Sequence, residues 1–442
     1  MANKANPVYS AVRACLAAAG MDRSNYGLPS WNPLGSCIRP GETVLVKPNL
    51  VRHSNLSGQG LDCLVTHPAV LKPVLDYVLL ARPARVIVGD APVQGCDMGR
   101  LLQLSGHDSI AKHFAERCPP VEWVDFRMTT LTESGIQDQR AAPCRTEDDY
   151  IIFDLGKASL LQPLSRDPER FRVTMYNPDV LRKNHGPGVH RYAVAREAIA
   201  ADVIVSVPKL KTHTKVGITA ALKNTIGICG RKDFLPHHRK GSSLERGDCY
   251  AVPSRLKSYA ESLLDVANRS DGLVRAAALF GARRARQMAE ARGADRNIEG
   301  NWHGNDTIWR TCLDLNRILM YGREDGTLSE VPQRRTLFIT DAIVAGEGEG
   351  PLSPVPRNLG TVTCSTNPVA ADYVHAHLVG FDWRRLPVIR EGFTGFTYPL
   401  AEFPNTEVTA FVNGELLVQP WAKWSGRPLV PPAGWRGYCE LS

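Results

Sequence analysis

The clearest hydrophobic pattern in the chain lies between Asp202 and Cys229, in the sequence DVIVSVPKLKTHTKVGITAALKNTIGIC. Its apolar run from Val203 to Val207 is short and rich in β-branched residues, as expected of a buried strand. Pro208 ends the run, because proline has no N–H group to donate within a central strand. From about Gly217 the spacing becomes helical and places three apolar residues on one stripe: Ile218, Leu222 and Ile226. The pattern predicts a strand, a polar loop and a helix.

Similar patterns recur along the chain, so that strands alternate with helices over the first 230 residues. Strands are predicted at 43–46, 85–90, 121–126, 150–153, 171–176, 336–340 and 361–364. Helices are predicted at 8–16, 70–78, 98–104, 192–200, 256–292, 306–321 and from Asn367-Pro368 onward. Loops are predicted at 231–247 and at the glycine-rich 346–351, with a hairpin at 407–418. The alternation is typical of an α/β fold, with a mostly parallel sheet or sheets and flanking helices.

At 442 residues the chain is longer than a single core usually grows. Residues 1–230 are predicted to form an N-terminal α/β domain, and residues 231–330 a helical insertion. Residues 331–442 return to an α/β pattern. That C-terminal part either completes the same sheet or forms a second lobe.

The charge, the cysteine spacing and the length of the apolar runs exclude several classes of function. The net charge of +8 comes largely from dispersed arginines, without the clustering that nucleic-acid binding requires. The eleven cysteines contain no C-x-x-C pair, so neither a ferredoxin-type iron–sulfur cluster nor a zinc ribbon is expected. No apolar run is long enough to span a membrane, and no secretion signal is apparent. A cytoplasmic protein that binds neither nucleic acid nor membrane is the expectation, and no nucleotide-binding fingerprint is present.

The polar segment after Pro208 carries the most distinctive chemistry. Lys209, Lys211, His213 and Lys215 alternate, so an extended backbone places them on one side, and Lys223 with Asn224 follows on the predicted helix. Such a positive field suits a carboxylate or a phosphate, and a histidine can carry a proton near neutral pH. The candidate catalytic residues are His213, Lys211 and Lys223, and the candidate substrate-binding residues here are Lys209, Thr212 and Asn224. The alternative is a solvated loop of surface lysines.

Other polar residues follow predicted strands: Lys47 and Asn49, Asp90, and Asp341. Because the carboxyl ends of parallel strands share one edge of a sheet, these groups are expected to meet the basic segment there. Lys47 and Asn49 are therefore further candidate substrate ligands. Asp90, Asp341 and Glu347 are candidate ligands of a divalent metal ion, the one cofactor that the sequence brings into consideration. The competing interpretation is that these residues form turns and that the glutamates are solvated.

Two further clusters have structural explanations. Asp372 and His375 share one face of a helix, a spacing that fits a metal pair but is more often a surface pair or a capped core histidine. In the segment 302–307, Asn305 or Asp306 suits the N-cap of the following helix.

Several of these segments together resemble the family known as domain of unknown function 362: VLVKPNLV at 44–51, THPAVLKPVL at 66–75, VIVGDAP at 86–92, VIVSVPKLKTHTKVGITAALKNTIGI at 203–228, WHGNDTIWRTCLDLNRIL at 302–319, and DAIVAGEGEGPL with NPVAADYVHAHLVG at 341–380. Many relatives in that family carry an added ferredoxin-like cluster segment, which implies redox chemistry, but this chain lacks clustered cysteines. The stretch from Lys209 to Lys223 is also similar to the basic loop of nickel-pincer lactate racemases.

Two hypotheses follow. In the first, the protein is an enzyme that acts on a small anionic substrate at the strand ends, by proton transfer, isomerisation or redox chemistry. His213→Ala is then expected to abolish turnover and to leave the melting temperature nearly unchanged. In the second, the protein is a non-catalytic accessory whose basic loop, or whose arginine-rich segment 256–292, docks an acidic partner, and high salt would weaken that complex.

Overall fold

The computed structural model describes residues 6–131, 137–138, 145–413, 415–417 and 428–441. Its α-helices are α1 (Pro7–Ala18), α2 (Pro68–Leu80), α3 (Met98–Ser105), α4 (His107–Ala115), α5 (Pro178–Asn184), α6 (Arg196–Ala200), α7 (Ala221–Asn224), α8 (Arg255–Arg269), α9 (Gly272–Ala291), α10 (Ile308–Tyr321), α11 (Pro368–Leu378) and α12 (Pro387–Arg390). The strands of the main sheet are β1 (Thr43–Pro48), β2 (Arg85–Asp90), β3 (Val121–Asp125), β4 (Val203–Val207), β5 (Lys209–His213), β6 (Gly217–Thr219), β7 (Arg335–Glu349) and β8 (Ser353–Ser365). Smaller sheets pair Tyr150–Asp154 and His185–Gly186 with Val189–Ala195, Phe171–Arg172 with His238–Arg239, Thr130–Leu131 with Gln137–Asp138, and Ala410–Val412 with Glu415–Leu417.

The main sheet has the strand order β6-β5-β7-β4-β1-β2-β3, with β8 paired to β7. Neighbours from β7 to β3 are parallel, whereas β6 and β8 run antiparallel to their partners. The chain winds outward from β1 to β2 and β3, and then in the other direction from β4 to β7. Its direction therefore reverses between β1 and β4, and ligands in such sheets bind at the carboxyl ends of strands beside that reversal.

Helices cover both faces of this sheet. Along β4, Val203, Val205 and Val207 pack with side chains of α1, α2 and α4. The intervening Ile204 belongs to the opposite core, together with side chains of α6 and α10. Because successive side chains of a strand point to opposite faces, a continuous apolar run such as β4 fits a strand buried on both sides. The α/β fold expected from the sequence is confirmed.

The structure corrects the predicted helix at 192–200. Residues 192–195, assigned to a helix at 192–200, end the strand Val189–Ala195 and pair with Tyr150–Asp154. Only Arg196–Ala200 is helical. Antiparallel pairing satisfies the backbone groups of 192–195, and this tertiary partner overrides the alanine-rich helical pattern.

The glycine-rich loop predicted at 346–351 is also different. β7 continues through Gly346 and Gly348 to Glu349 and pairs with β8, whose range includes the strand predicted at 361–364. The basic segment is a strand as well, because β5 pairs with both β7 and β6. The predicted helix from Gly217 begins with β6 and is helical only at α7 and the following 3₁₀ turn, Thr225–Ile228. Glycine spacing and apolar spacing do not reveal these long-range pairings.

Smaller differences remain. In the predicted strand at 171–176 only Phe171–Arg172 is extended, and the predicted helix at 256–292 is the pair α8 and α9. Residues 335–365 of the C-terminal part supply β7 and β8 to the sheet built by residues 43–219. Among the residues that the structure describes, no helix combines the length and the apolar character needed to cross a bilayer.

Candidate functional site

A cavity of about 740 Å³ opens beside the carboxyl ends of β1 and β2 and beside β5, near the point where the winding of the sheet reverses. Polar side chains from several separate segments line it. Those with ionisable or amide groups are Asn49, Arg52, His53, Asp90, Gln94, Tyr176, Lys211, His213, Lys215, Lys223, Asn224, Lys232, His237, Glu299, Asn301 and Glu349. The basic segment and the strand-end residues predicted to converge therefore share one wall, with the exceptions described below.

Lys47 forms an ion pair with Asp90, one of the residues that line the cavity. Lys47 Nζ donates to Asp90 Oδ1 at 2.8 Å, and its side chain is 1% exposed. Asp90 also accepts the backbone N–H groups of Leu50 at 2.6 Å and Ala91 at 2.9 Å. A Cβ atom at Gly227 would lie 1.8 Å from Asp90 Oδ1, so only glycine permits this backbone approach. The pair ties the end of β1 to the end of β2.

Two asparagines connect this pair to β5. Asn224 Oδ1 accepts from Lys47 Nζ and from Asn49 Nδ2, each at 3.2 Å. Asn224 Nδ2 donates to the Ser206 hydroxyl at 3.0 Å, and Lys211 Nζ donates to Asn49 Oδ1 at 2.7 Å and to the Leu64 carbonyl. The candidate ligands Lys47, Asn49, Lys211 and Asn224 thus form one buried network, which fixes their positions before any ligand arrives.

Lys209 and Thr212 lie outside the cavity lining. Lys209 is completely buried and donates to Asp341 Oδ2 at 2.8 Å, because the register of β5 places it opposite Asp341 of β7. The Thr212 hydroxyl donates to the Gly348 carbonyl at 2.8 Å. Both side chains join β5 to β7.

The lysines of the cavity hold their amines in a desolvated space. Burial lowers the pKa of Lys211 well below its usual value, and the charge of Lys209 lowers it further. Burial likewise lowers the pKa values of Lys215 and Lys223, and it lowers the pKa of Lys232 to about 8. Desolvation disfavours the charged amine, so these side chains favour any ligand that brings negative charge.

Two histidines present complementary ring nitrogens. His213 Nδ1 accepts the backbone N–H of Lys215 at 3.0 Å, which leaves the proton of the neutral ring on Nε2. His237 Nδ1 lies 2.6 Å from the Leu235 carbonyl, which can only accept, so the Nε2 of this ring carries a lone pair. Burial and the charge of Lys223 hold the pKa of both rings well below the usual value. One ring offers a donor to the cavity and the other an acceptor.

The three carboxylates predicted to bind a metal do not come together. Asp90 is held by Lys47 and Asp341 by Lys209, whereas Glu347 Oε2 accepts the backbone N–H of Val430 at 3.0 Å. Within the described ranges no group of three or more His, Cys, Asp or Glu side chains is arranged to hold a metal ion. Each carboxylate therefore stabilises the fold through its own partner.

Sequence reasoning missed Lys232 and His237, which lie in the predicted loop at 231–247. That segment is instead anchored to the core, since the His237 N–H donates to the Arg172 carbonyl at 2.8 Å and Thr311 Oγ1 donates to the Pro236 carbonyl at 2.8 Å. The histidine pair at 237–238 after a proline was the only signal in the sequence. It gives no indication of which strand edge the segment faces.

The Asp372–His375 pair and the segment 302–307 both have structural roles. Asp372 is buried, accepts the backbone N–H groups of Ala221 and Leu222, and lies 3.0 Å from His375 Nδ1. It thereby holds the start of α7, the helix that carries Lys223. Asn305 Oδ1 accepts the backbone N–H groups of Thr307 and Ile308 at the start of α10.

Comparisons with known proteins give a family and two distant likenesses. A curated protein of Synechocystis sp., named "Thylakoid-associated protein sll1697", is 24% identical over 234 residues, which are 52% of this chain and 54% of that protein. This chain thus spans about half the length of that curated relative. A crystal structure of a protein from Thermotoga maritima matches 79% of this chain and 53% of its own, with 11% identity and a TM-score of 0.33, too low to support an argument. Residues 44–152 and 166–377 match the family described as "Domain of unknown function (DUF362)", and the chain belongs to that family.

Proposed function

We propose that the protein is an enzyme that binds a small carboxylate- or phosphate-bearing compound in the cavity and transfers a proton on it. Lys211, Lys223 and Lys232 attract the anionic group. His213 donates a hydrogen bond from Nε2, and His237 accepts a proton at its Nε2. The observation that carries the proposal is the convergence of buried amines and two complementary imidazoles on one cavity.

The carboxylates that line the described part of the cavity are already engaged. Asp90 is paired with Lys47, Glu349 Oε1 accepts the Ala433 N–H at 2.7 Å, and Glu299 Oε2 accepts the Thr174 hydroxyl at 3.2 Å. The lining carries more cationic side chains, at Arg52, Lys211, Lys215, Lys223 and Lys232, than carboxylates, at Asp90, Glu299 and Glu349, so the amines lack full internal compensation. Buried charge of one sign is costly unless it is paired, and a bound anion supplies the missing charge.

Binding of an anion also prepares the histidines for acid–base chemistry. Desolvation and nearby lysines disfavour the imidazolium form of both rings. An anion beside them reverses part of that electrostatic effect and raises their pKa values. A general base is most effective when its pKa lies near the working pH, so His237 gains basicity when substrate is bound.

The arrangement favours a small ligand over an acidic docking partner. The side chains of Lys211 and His213 are 0% and 5% exposed, and they face a cavity instead of a protruding surface. A docking patch requires charges that a macromolecule can reach. A compound small enough to enter about 740 Å³ can reach Lys223 and His237, which are only partly buried in the cavity wall.

Calorimetric titration with citrate, 2-oxoglutarate and inorganic phosphate tests the binding step. At least one of these anions is expected to bind the wild-type protein, and Lys223→Met is expected to weaken it. Lys157→Met is the matched control, because Lys157 is an exposed lysine outside the cavity. Equal affinities in all three proteins would contradict an anion site in this cavity.

Deuterium exchange tests the chemical step without knowledge of the reaction. Organic acids are incubated with the protein in D₂O, and NMR follows exchange of C–H protons beside the acid or carbonyl group. His213→Asn is the variant of choice, because the asparagine Oδ1 can still accept the Lys215 N–H while the Nε2 donor is lost. Exchange by the wild type that disappears in this variant supports proton transfer, and an equal rate in the variant would contradict the role of His213.

A further inference from the structure

Lys223 differs from the other lysines of the cavity. Its ammonium group has no hydrogen bond or ion pair with any residue that the structure describes, although it lines the cavity. By contrast, Lys211 donates to Asn49, Lys215 donates to the Glu299 carbonyl, and Lys232 donates to the Ile226 carbonyl at 3.4 Å. An amine without a partner is available to a ligand as a cation and, once deprotonated, as a nucleophile.

The surroundings of Lys223 favour the deprotonated amine. Burial lowers its pKa, and the positive charge of Lys47 lowers it further, whereas the Cys312 thiol and Asp90 act in the opposite direction. Desolvation is a known way to activate a lysine toward carbonyl groups. The fold also fixes where this amine lies, because α7 begins on the carboxylate of Asp372.

Both imidazoles lie within electrostatic reach of this amine. After burial itself, the Lys223 charge is the largest influence that lowers the pKa of His213, and the same holds for His237. The cavity therefore groups a free amine, an Nε2–H donor and an Nε2 acceptor. A carbonyl compound that reacts with an amine needs these three functions.

We propose that Lys223 forms an imine with the carbonyl carbon of an anionic substrate, either an oxo acid or a phosphorylated carbonyl compound, an assignment that rests on the anion-binding function proposed above. The nitrogen lone pair forms the C–N bond as the C=O π pair moves to oxygen, to which His213 donates a hydrogen bond. His237 carries one proton from nitrogen to that oxygen. The hydroxyl then leaves as water with one proton from solvent, and nitrogen forms the C=N bond of a protonated imine.

An imine of this kind explains why proton transfer would occur in this cavity. A protonated imine withdraws electrons from the adjacent carbon, so a C–H proton there becomes acidic enough for an imidazole to remove. Hydrolysis of the imine returns the amine and releases the product. The substrate class therefore combines an acid group, a carbonyl and a C–H bond beside that carbonyl.

Pyridoxal 5′-phosphate is a suitable probe, because it joins an aldehyde to a phosphate group. Protein and probe are mixed at pH 7, the imine is reduced with borohydride, and mass spectrometry of peptides locates the pyridoxyl group. A lowered pKa raises the neutral fraction of an amine at pH 7, so Lys223 is expected to react faster than the exposed Lys112 and Lys157. Citrate is expected to slow labelling of Lys223 alone.

Wild-type protein that is labelled at exposed lysines and not at Lys223 would overturn the proposal. If that protein still binds citrate, the imine fails and the anion-binding function stands. If no anion binds, both fail together. Lys223→Arg keeps the positive charge but cannot form the imine, so it is expected to lose the label and to retain anion binding. Lys157→Arg is the control and is expected to keep the label at Lys223.

Discussion

Lys209 and Lys223 are two amines from adjoining parts of the chain with opposite surroundings. Lys209 is completely buried and paired with Asp341, whose carboxylate also accepts the backbone N–H groups of His67 and Ile343. Lys223 lines the cavity without a described partner. A buried charge with an internal partner holds the fold together, whereas a buried charge without one indicates a place for a ligand. The sheet holds the paired amine of Lys209, and the cavity holds the unpaired amine of Lys223.

The largest expected effect comes from removing the paired amine. Lys209→Met leaves the Asp341 carboxylate buried without its cation, which typically costs about 3–5 kcal/mol of unfolding free energy. Denaturant unfolding measures this loss. The double variant Lys209→Met with Asp341→Asn removes the stranded charge and is expected to recover part of it. A loss below about 1 kcal/mol in the single variant would remove the basis of the comparison.

The second prediction concerns the unpaired amine. Lys223→Met is expected to weaken anion binding by about tenfold or more, which corresponds to about 1.4 kcal/mol. Without ligand the same variant is expected to be as stable as the wild type or more stable, by on the order of 1 kcal/mol, because a desolvated charge is removed. Calorimetry and denaturant unfolding provide the two measurements. A large loss of stability would show that Lys223, like Lys209, stabilises the fold.

The third prediction concerns the way in which the stability of the protein depends on pH through Lys232. The pKa of Lys232 is lowered to about 8 in the folded protein, so between pH 8 and about 10.5 the unfolded chain binds more protons at this position. The cost of the buried amine is therefore complete below pH 8 and disappears as the pH rises toward 10.5. Lys232→Met is expected to exceed the wild type in stability by on the order of 1 kcal/mol at pH 7. The gap should close by pH 10, and a constant gap would mean that apolar packing of the methionine, not removal of the charge, causes it.

The smallest expected effect is at His213. His213→Asn preserves an acceptor for the Lys215 N–H, so the change in unfolding free energy is expected to stay within about 1 kcal/mol. Thermal and denaturant unfolding measure it, with the exposed His113→Asn as control. A loss of several kcal/mol would show that His213 serves the fold.

Much of the sheet could be predicted from the sequence, because its central strands are continuous apolar runs. The run at 203–207 is β4, and the polar residues that follow β1, β2 and β4 meet at one edge, as the rule for parallel strands requires. Lys47, Asn49, Asp90 and Lys211 were accessible to this reasoning because each one follows or ends such a run.

The pairing of charges could not be predicted in the same way. Lys209 faces Asp341 only because β5 inserts beside β7 in a particular register, and the two residues are 132 positions apart in the sequence. Nothing in the local spacing distinguishes Lys209 from Lys211, yet one is a structural cation and the other lines the cavity. His237 and Lys232 come from a segment without helical or strand periodicity. Its position depends on long-range hydrogen bonds that sequence patterns do not encode.

Proton exchange on binding tests most directly whether the uncompensated amines of the cavity form an anion site. Calorimetric titration with citrate at pH 8, repeated in buffers of different ionisation enthalpy, gives the number of protons exchanged. Because a bound anion raises the pKa of Lys232 and its neighbours, the account predicts net proton uptake and an affinity that falls as the pH rises above 8. Binding without proton uptake, at an affinity that does not change between pH 7 and pH 9, would contradict it.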